Sequence, residues 1–303
     1  MIAPAGVRPA LLEYAGLAGV LVGLILLFGL TTDHFLSALT FTTIANQIPA
    51  LTVIAVGLTL VLIAGGIDLS VGSVLALGSA ILAVGMAAGT INGLVTVRWA
   101  VPSFIVTVGM LEAARGAAYF ATASRSVFVG GAIGGLGAPL PGLGLSPAFL
   151  LAVLVVAAGQ LLLARTVFGR YLVAIGTNAE AVRLSGIDPR PVVAAAFVLC
   201  GGLAGLAGVF HLAYLESADP NSGIGLELSA VAAVVIGGTS LMGGRGSVVS
   251  SFLGVLIIAV LQSGLAQMGA TEPVKRIVTG AVIVAAVIVD AWRRTLAARR
   301  ARD

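Results

Sequence analysis

The sequence predicts an all-α fold, a polytopic transmembrane helical bundle of about nine to ten membrane segments built as one domain over residues 1–303. Three observations carry that expectation. Hydrophobic residues make up 59% of the chain and charged residues only 9%, with a mean hydropathy of +1.14. A soluble domain carries roughly 25% charge to keep its surface solvated, so most of this surface must face hydrocarbon. Long apolar runs recur along the whole length, each near the roughly 20 residues that cross a bilayer core. None shows the strict alternation of a barrel strand, and only helices or closed barrels satisfy every backbone group in lipid. A soluble enzyme, a disordered chain and a disulfide scaffold are excluded, the last because Cys200 is the single cysteine. The 41 glycines, about twice the usual share, suit helices that approach closely in lipid.

The apolar runs fall at 11–31, 44–65, 71–97, 101–122, 145–164, 191–215, 226–242, 248–268 and 276–292. The first follows Arg8 and reads as an uncleaved helix, since no small-x-small cleavage site precedes Thr31. The others are bounded by charges, prolines or glycine-rich breaks. Arginines give the orientation by the positive-inside bias. Arg293, Arg294, Arg299, Arg300 and Arg302 crowd the tail, and Arg165, Arg170, Arg183 and Arg190 share one interior loop. Walking back from a cytoplasmic tail places 269–275 outside, 243–247 inside, 216–221 outside, 164–191 inside and Arg98 inside. Walking forward from a cytoplasmic Arg8 places 65–70 inside, so segment 71–97 would begin and end on one face. It is longer than one crossing needs and too short for two, so it is either one crossing with the N-terminus outside or a hairpin, of which the hairpin is the expectation. With Gly85-Met86-Ala87-Ala88-Gly89 near its middle, it predicts a re-entrant or compressed hairpin of two half-helices.

Polar residues are costly inside such a chain, which makes them informative. In Gly65-Gly66-Ile67-Asp68-Leu69-Ser70-Val71-Gly72-Ser73 a carboxyl group and two hydroxyls sit between apolar runs, with glycines that permit a helix break. Asp68 with the freed backbone groups would line a polar path, or, in an ordinary interfacial loop, Asp68 would cap the next helix. Asn92, Thr107 and Gln262 offer hydrogen bonds to a solute or between helices. Glu112 and Arg115, three apart on one helix face, suit an ion pair. The loop from Ala164 to Pro191 is the most polar of the chain. Within it Thr177 to Gly186 reads as a short helix capped by Asn178 and closed by glycine, a docking element for a cytoplasmic partner or a solvated connector. His34 and His211 are far apart, and no cluster of His, Cys and carboxylates suggests a metal.

Four stretches, in order, resemble the permease subunits of ribose/xylose-type ATP-binding cassette (ABC) importers, the binding-protein-dependent inner-membrane components. They are Asp68-Leu69-Ser70-Val71-Gly72-Ser73, Pro102 to Thr107, Gly169-Arg170 to Gly186, and Leu228 to Ser247 with Gly237-Gly238-Thr239-Ser240 and Gly243-Gly244-Arg245-Gly246. The resemblance covers about residue 44 to the end. It implies a transport subunit rather than an enzyme, set multi-pass in the cytoplasmic (inner) membrane of a bacterium and moving a monosaccharide or similar small polar solute. The implied partners are a second permease copy, a cytoplasmic ABC ATPase and a periplasmic or extracellular sugar-binding protein, with no nucleic acid. The loop at about 165–190 becomes the ATPase-coupling loop, with Gly169, Arg170, Asn178, Glu180, Arg183 and Gly186 as its residues. Asp68, Ser70, Ser73, Asn92, Thr107 and Gln262 become the candidate translocation path. The chain itself would hold no cofactor. It has no G-x-x-x-x-G-K-[ST] phosphate loop, so ATP acts through the partner ATPase.

The branched-chain amino-acid permeases share a looser form of the second half and stand as an alternative, as does an ion-coupled secondary transporter using Asp68 and Glu112. One departure from the resembled pattern is plain. Only 18 residues separate Ser73 from Asn92, about one hairpin short, and the shortage falls in the segment where the two topology walks disagree.

Overall fold

The computed structural model describes residues 7–78, 82–129, 131 and 133–300. Helices dominate: α1 (Val7–Thr31), α2 (Ala38–Gln47), α3 (Pro49–Ile63), α4 (Val71–Gly78), α5 (Leu82–Trp99) and α6 (Ser103–Ala121) come first. A short strand β1 (Val127–Phe128) and a single turn α7 (Gly134–Gly137) precede α8 (Pro147–Arg165), α9 (Val167–Leu184) and α10 (Arg190–Leu215). Strand β2 (Ser217–Ala218), α11 (Leu226–Ile236), α12 (Val248–Gln267) and α13 (Glu272–Arg300) complete the chain. The two strands pair antiparallel, Val127 opposite Ala218 and Phe128 opposite Ser217.

At the centre lies α3, apolar all round and buried along nearly its whole length, as expected of a helix enclosed by others. Its start is bent by 50° from α2 at Ile48-Pro49, where the proline ring removes a helical donor. Helix α10 packs against α3, α4 and α5. Its contact with α5 runs on glycine: a Cβ at Gly85 would overlap the Gly201 carbonyl, one at Gly89 would overlap the Phe197 carbonyl, and one at Gly93 would lie 3.0 Å from Ala194 Cα. The run Gly85–Gly89 is therefore continuous helix pressed on a neighbour, and the expected hairpin break is not there. Helix α4 ends at Gly78 and α5 begins at Leu82, and residues 79–81 lie outside the described part.

Among the described residues five helices are long and apolar enough to cross a membrane: α1 over Tyr14–Thr31, α6, α8, α10 and α12. The bent pair of α2 and α3 makes six. This supports an all-α polytopic bundle but falls short of the nine to ten segments expected. The reasons are local. Helix α4 has 8 residues and α11 has 11, too few for a core of roughly 30 Å. Helix α5 has 18 residues but carries Asn92 and Arg98, and α13 opens with Glu272, Lys275 and Arg276 and ends among arginines.

Candidate functional site

The break between α3 and α4 is a buried polar knot. Asp68 is fully buried, and its Oδ1 accepts from the Ser70 amide at 3.0 Å and the Ser70 hydroxyl at 2.6 Å. This is the local turn that an Asp two residues upstream favours; α4 begins at Val71 and its first helical bond runs from the Val74 amide to the Ser70 carbonyl, so Asp68 stabilises the break itself and is not the N-cap of the helix. Asn92, reaching over from α5, donates its amide to Ser70 Oγ at 3.0 Å. Two hydroxyls of α6 hold the backbone of the break: Ser103 Oγ accepts from the Ile67 amide at 2.9 Å and Thr107 Oγ1 from the Leu69 amide at 3.1 Å. Asp68 Oδ2, Asn92 Oδ1 and the Ser73 hydroxyl are buried without a hydrogen bond of ordinary geometry, and the Cys200 thiol of α10, a weak donor, is brought against the Asp68 carboxyl group.

The sequence-predicted path residues thus divide. Asp68, Ser70, Asn92 and Thr107 share one hydrogen-bonded knot, and Ser73 is buried nearby on α4. All five are enclosed, so none lines an open cavity. Gln262 stands apart, exposed on α12 in the wall of a cavity of about 880 Å³ bounded by α2, α10, α11, α12 and α13. Gln47, His211, Gln267, Lys275 and Glu272 also line it. Ser103 is the side chain of this knot that sequence reasoning did not single out. Its spacing of four from Thr107 puts both hydroxyls on one helix face, and that was the available signal.

On the arginine-rich side, Thr166 caps α9 by accepting from the Gly169 amide at 3.2 Å. Gly169 is pressed on the Leu163 carbonyl, and Arg170 is exposed. The backbone leaves helical geometry at Asn178 (φ −162°, ψ 95°). Asn178 Oδ1 then accepts from the Ala181 amide at 2.9 Å, opening a second short helical piece. Gly186, at φ +86°, ends it in the left-handed region that glycine occupies freely. Glu180 and Arg183 pair at 3.2 Å, both well exposed, and Leu184 beside them is 79% exposed. An Asn178→Ala substitution is expected to cost this piece about 1 kcal/mol of cap, read as faster hydrogen exchange at the Ala181 amide with α10 unchanged.

Immediately before that piece, three chain segments meet backbone to backbone. The Gly244 amide donates to the Ile63 carbonyl at the end of α3 at 2.9 Å. A Cβ at Gly176 would overlap that same carbonyl, and one at Gly243 would lie 3.0 Å from Gly65 Cα. Gly65, Gly243 and Gly244 all have φ near +80°, which side chains rarely adopt. The Asn178-capped piece is therefore anchored directly beneath the break that holds Asp68.

Glu112 and Arg115 part company in the fold. The Arg115 guanidinium donates to the carbonyls of Pro220 and, at 2.8 Å, Ser222, while Glu112 is exposed on α6. Among the described residues no group of His, Cys, Asp and Glu is placed to hold a metal ion.

The family model described as "Branched-chain amino acid transport system / permease component" matches residues 40–287. The chain belongs to this permease family. Its curated relatives include the ribose import permease protein RbsC of Escherichia coli K12, 37% identical over 307 residues that cover 92% of this chain and 94% of that protein. RbsC of Bacillus subtilis is 35% identical, covering 88% and 89%, and the fructose import permease protein FrcC of Rhizobium meliloti is 31% identical, covering 92% and 85%. No solved structure matches the chain. As a permease component with five to six membrane-length helices, the protein is a multi-pass component of the cytoplasmic (inner) membrane.

Proposed function

We propose that this chain is the membrane-spanning subunit of an ATP-driven importer for a monosaccharide, working with a second permease copy, a cytoplasmic ABC ATPase and an extracytoplasmic sugar-binding protein. The observation that carries this reading is identity of 35–37% to ribose import permeases across about nine-tenths of the chain. The fructose and arabinose permeases among the relatives favour sugar over amino acid as cargo. Counting α5 and α13 as crossings beside the six helical spans brings the membrane segments to eight, with α4 and α11 as half-helices.

The Asn178-capped piece is the ATPase-coupling element. Its exposed face mixes Glu180, Arg183 and Leu184, charged groups for register and an apolar side chain for contact area. ATP binding and hydrolysis in the partner would move this piece, and each state of the transporter must hold it differently for the energy to be used. The polar cavity that Gln262 lines is the extracytoplasmic vestibule. Its amides and charged groups suit a solute rich in hydroxyls, and it lies on the side away from the arginine-rich loop.

Co-purification tests the reading. The ATPase is expected to come down with the wild-type chain and to be lost when Glu180 and Arg183 are both changed to Ala. Their mutual ion pair is exposed and adds little to folding, so expression and membrane insertion should not change. Uptake that proceeds without any ATPase and collapses with the proton gradient would instead establish the ion-coupled alternative.

A further inference from the structure

The cavity that Gln262 lines changes character along its wall. Every Asp, Glu, Lys or Arg in that wall comes from the first five residues of α13, and two of these three, Glu272 and Lys275, pair with each other at 2.7 Å, leaving Arg276. Away from that rim the wall is polar without such groups. Gln262 stands five residues before the end of α12, His211 four before the end of α10, and Gln47 closes α2 at its bend into α3. Gln267, at the end of α12, is committed to Thr40 Oγ1 at 2.9 Å, whereas Gln47, His211 and Gln262 hydrogen-bond to no described residue. Such groups are costly inside a membrane protein unless water or a solute meets them. The same wall also carries apolar side chains, Ile224 and Leu228, 52% and 57% exposed.

We propose that Gln47, His211 and Gln262 form a solute-recognition site within the chain, which takes an uncharged sugar ring by its hydroxyls and turns away the same ring carrying a carboxylate. A sugar hydroxyl both donates and accepts, and so do these side chains: each carboxamide has two donors and an acceptor, and a neutral imidazole has one of each. Ile224 and Leu228 suit the C–H face of the ring. The volume, about 880 Å³, falls in the range of roughly 300–1,000 Å³ usual for small-molecule sites. Discrimination against charge follows from where the charged groups stand. A sugar acid that passes the α13 rim leaves Arg276 behind and meets only neutral partners, so its carboxylate would lose water without gaining a counter-ion. The permease chain would then screen its cargo itself, by the same polar groups that let a neutral sugar pass.

This inference rests on the importer reading, and the experiment separates the two. Uptake of ribose, fructose and arabinose by membranes carrying the chain, its ATPase and its binding protein first shows which of the three the assembly imports. The permease and ATPase are then treated with diethyl pyrocarbonate, and modification is read at His211 by peptide mass spectrometry, with His34, exposed outside the cavity, as the reference. The imported sugar should slow reaction at His211 several-fold and leave His34 unchanged, and glucuronate at the same concentration should protect neither. His211→Phe, which keeps a ring but no hydrogen-bonding group, should cut uptake roughly fivefold, the scale of one neutral hydrogen bond. His211→Gln should recover most of it, which a merely space-filling role would not allow. Import without protection of His211, equal protection by glucuronate, or equal uptake by the Phe and Gln variants overturns the site and leaves the importer reading intact. An assembly that imports none of the three sugars overturns the monosaccharide importer reading, and this inference with it.

Discussion

Gly176→Ala is expected to abolish uptake and to lower markedly the temperature at which Cys200 becomes open to a thiol reagent. The added Cβ would overlap the Ile63 carbonyl, a backbone atom that already accepts the Gly244 amide. No side chain is there to swing aside. Relief must come from shifting the end of α3, the 243–244 loop or the start of the capped piece, each tied to the others. Overpacking a well-filled site costs about 1–3 kcal/mol and occasionally more, and a backbone obstacle puts this site at the upper end. A control is built into the chain: a Cβ at Gly19 on α1 meets nothing within 4 Å, so Gly19→Ala should leave uptake unchanged and favour the helix slightly. Because Cys200 is the single, buried cysteine, its reaction on heating reports unfolding in both variants.

Asp68→Ala is the second large effect. It removes the acceptor of the Ser70 amide and hydroxyl in a site closed to water. A buried donor left without a partner costs about 1–3 kcal/mol, and two are stranded here. The small side chain also leaves a void beside Cys200. Asp68→Asn should be far milder, because the amide oxygen can stay at the Oδ1 position and the amide nitrogen takes the place of Oδ2, which has no ordinary partner. Thermal unfolding followed through Cys200 should rank wild type, Asn and Ala in that order. Equal loss in Asn and Ala would mean that the acidic group itself, rather than the acceptor at Oδ1, is what the knot requires.

These two sites also mark how far the sequence could be read. The Asn178-capped piece was legible because its signals, a capping side chain and a closing glycine, act within a few residues. Asp68 was legible as a break, since flanking glycines and an acidic residue in an apolar chain are local as well. The glycines at 85 and 89 were not, because the same residue serves a turn and a close helix contact, and only α10 across the gap decides between them. Glu112 and Arg115 failed for a similar reason: their spacing allows a pair, but the carbonyls of a loop about a hundred residues away hold the arginine instead. The cavity lined by Gln262 draws on five helices from α2 to α13, so no single stretch announces it.

The glycine contact between α5 and α10 has a mechanical consequence. Side-chain ridges normally hold packed helices about 8–10 Å apart, whereas α5 and α10 touch backbone to backbone at Gly85, Gly89 and Gly93. The pair forms one closely packed strut. The strut runs from Arg190, just past the Asn178-capped piece, to Leu215, beside the ribbon of Ser217–Ala218 with Val127–Phe128. In the importer proposed above, a push delivered at its Arg190 end would be felt at its Leu215 end with little lost to internal give.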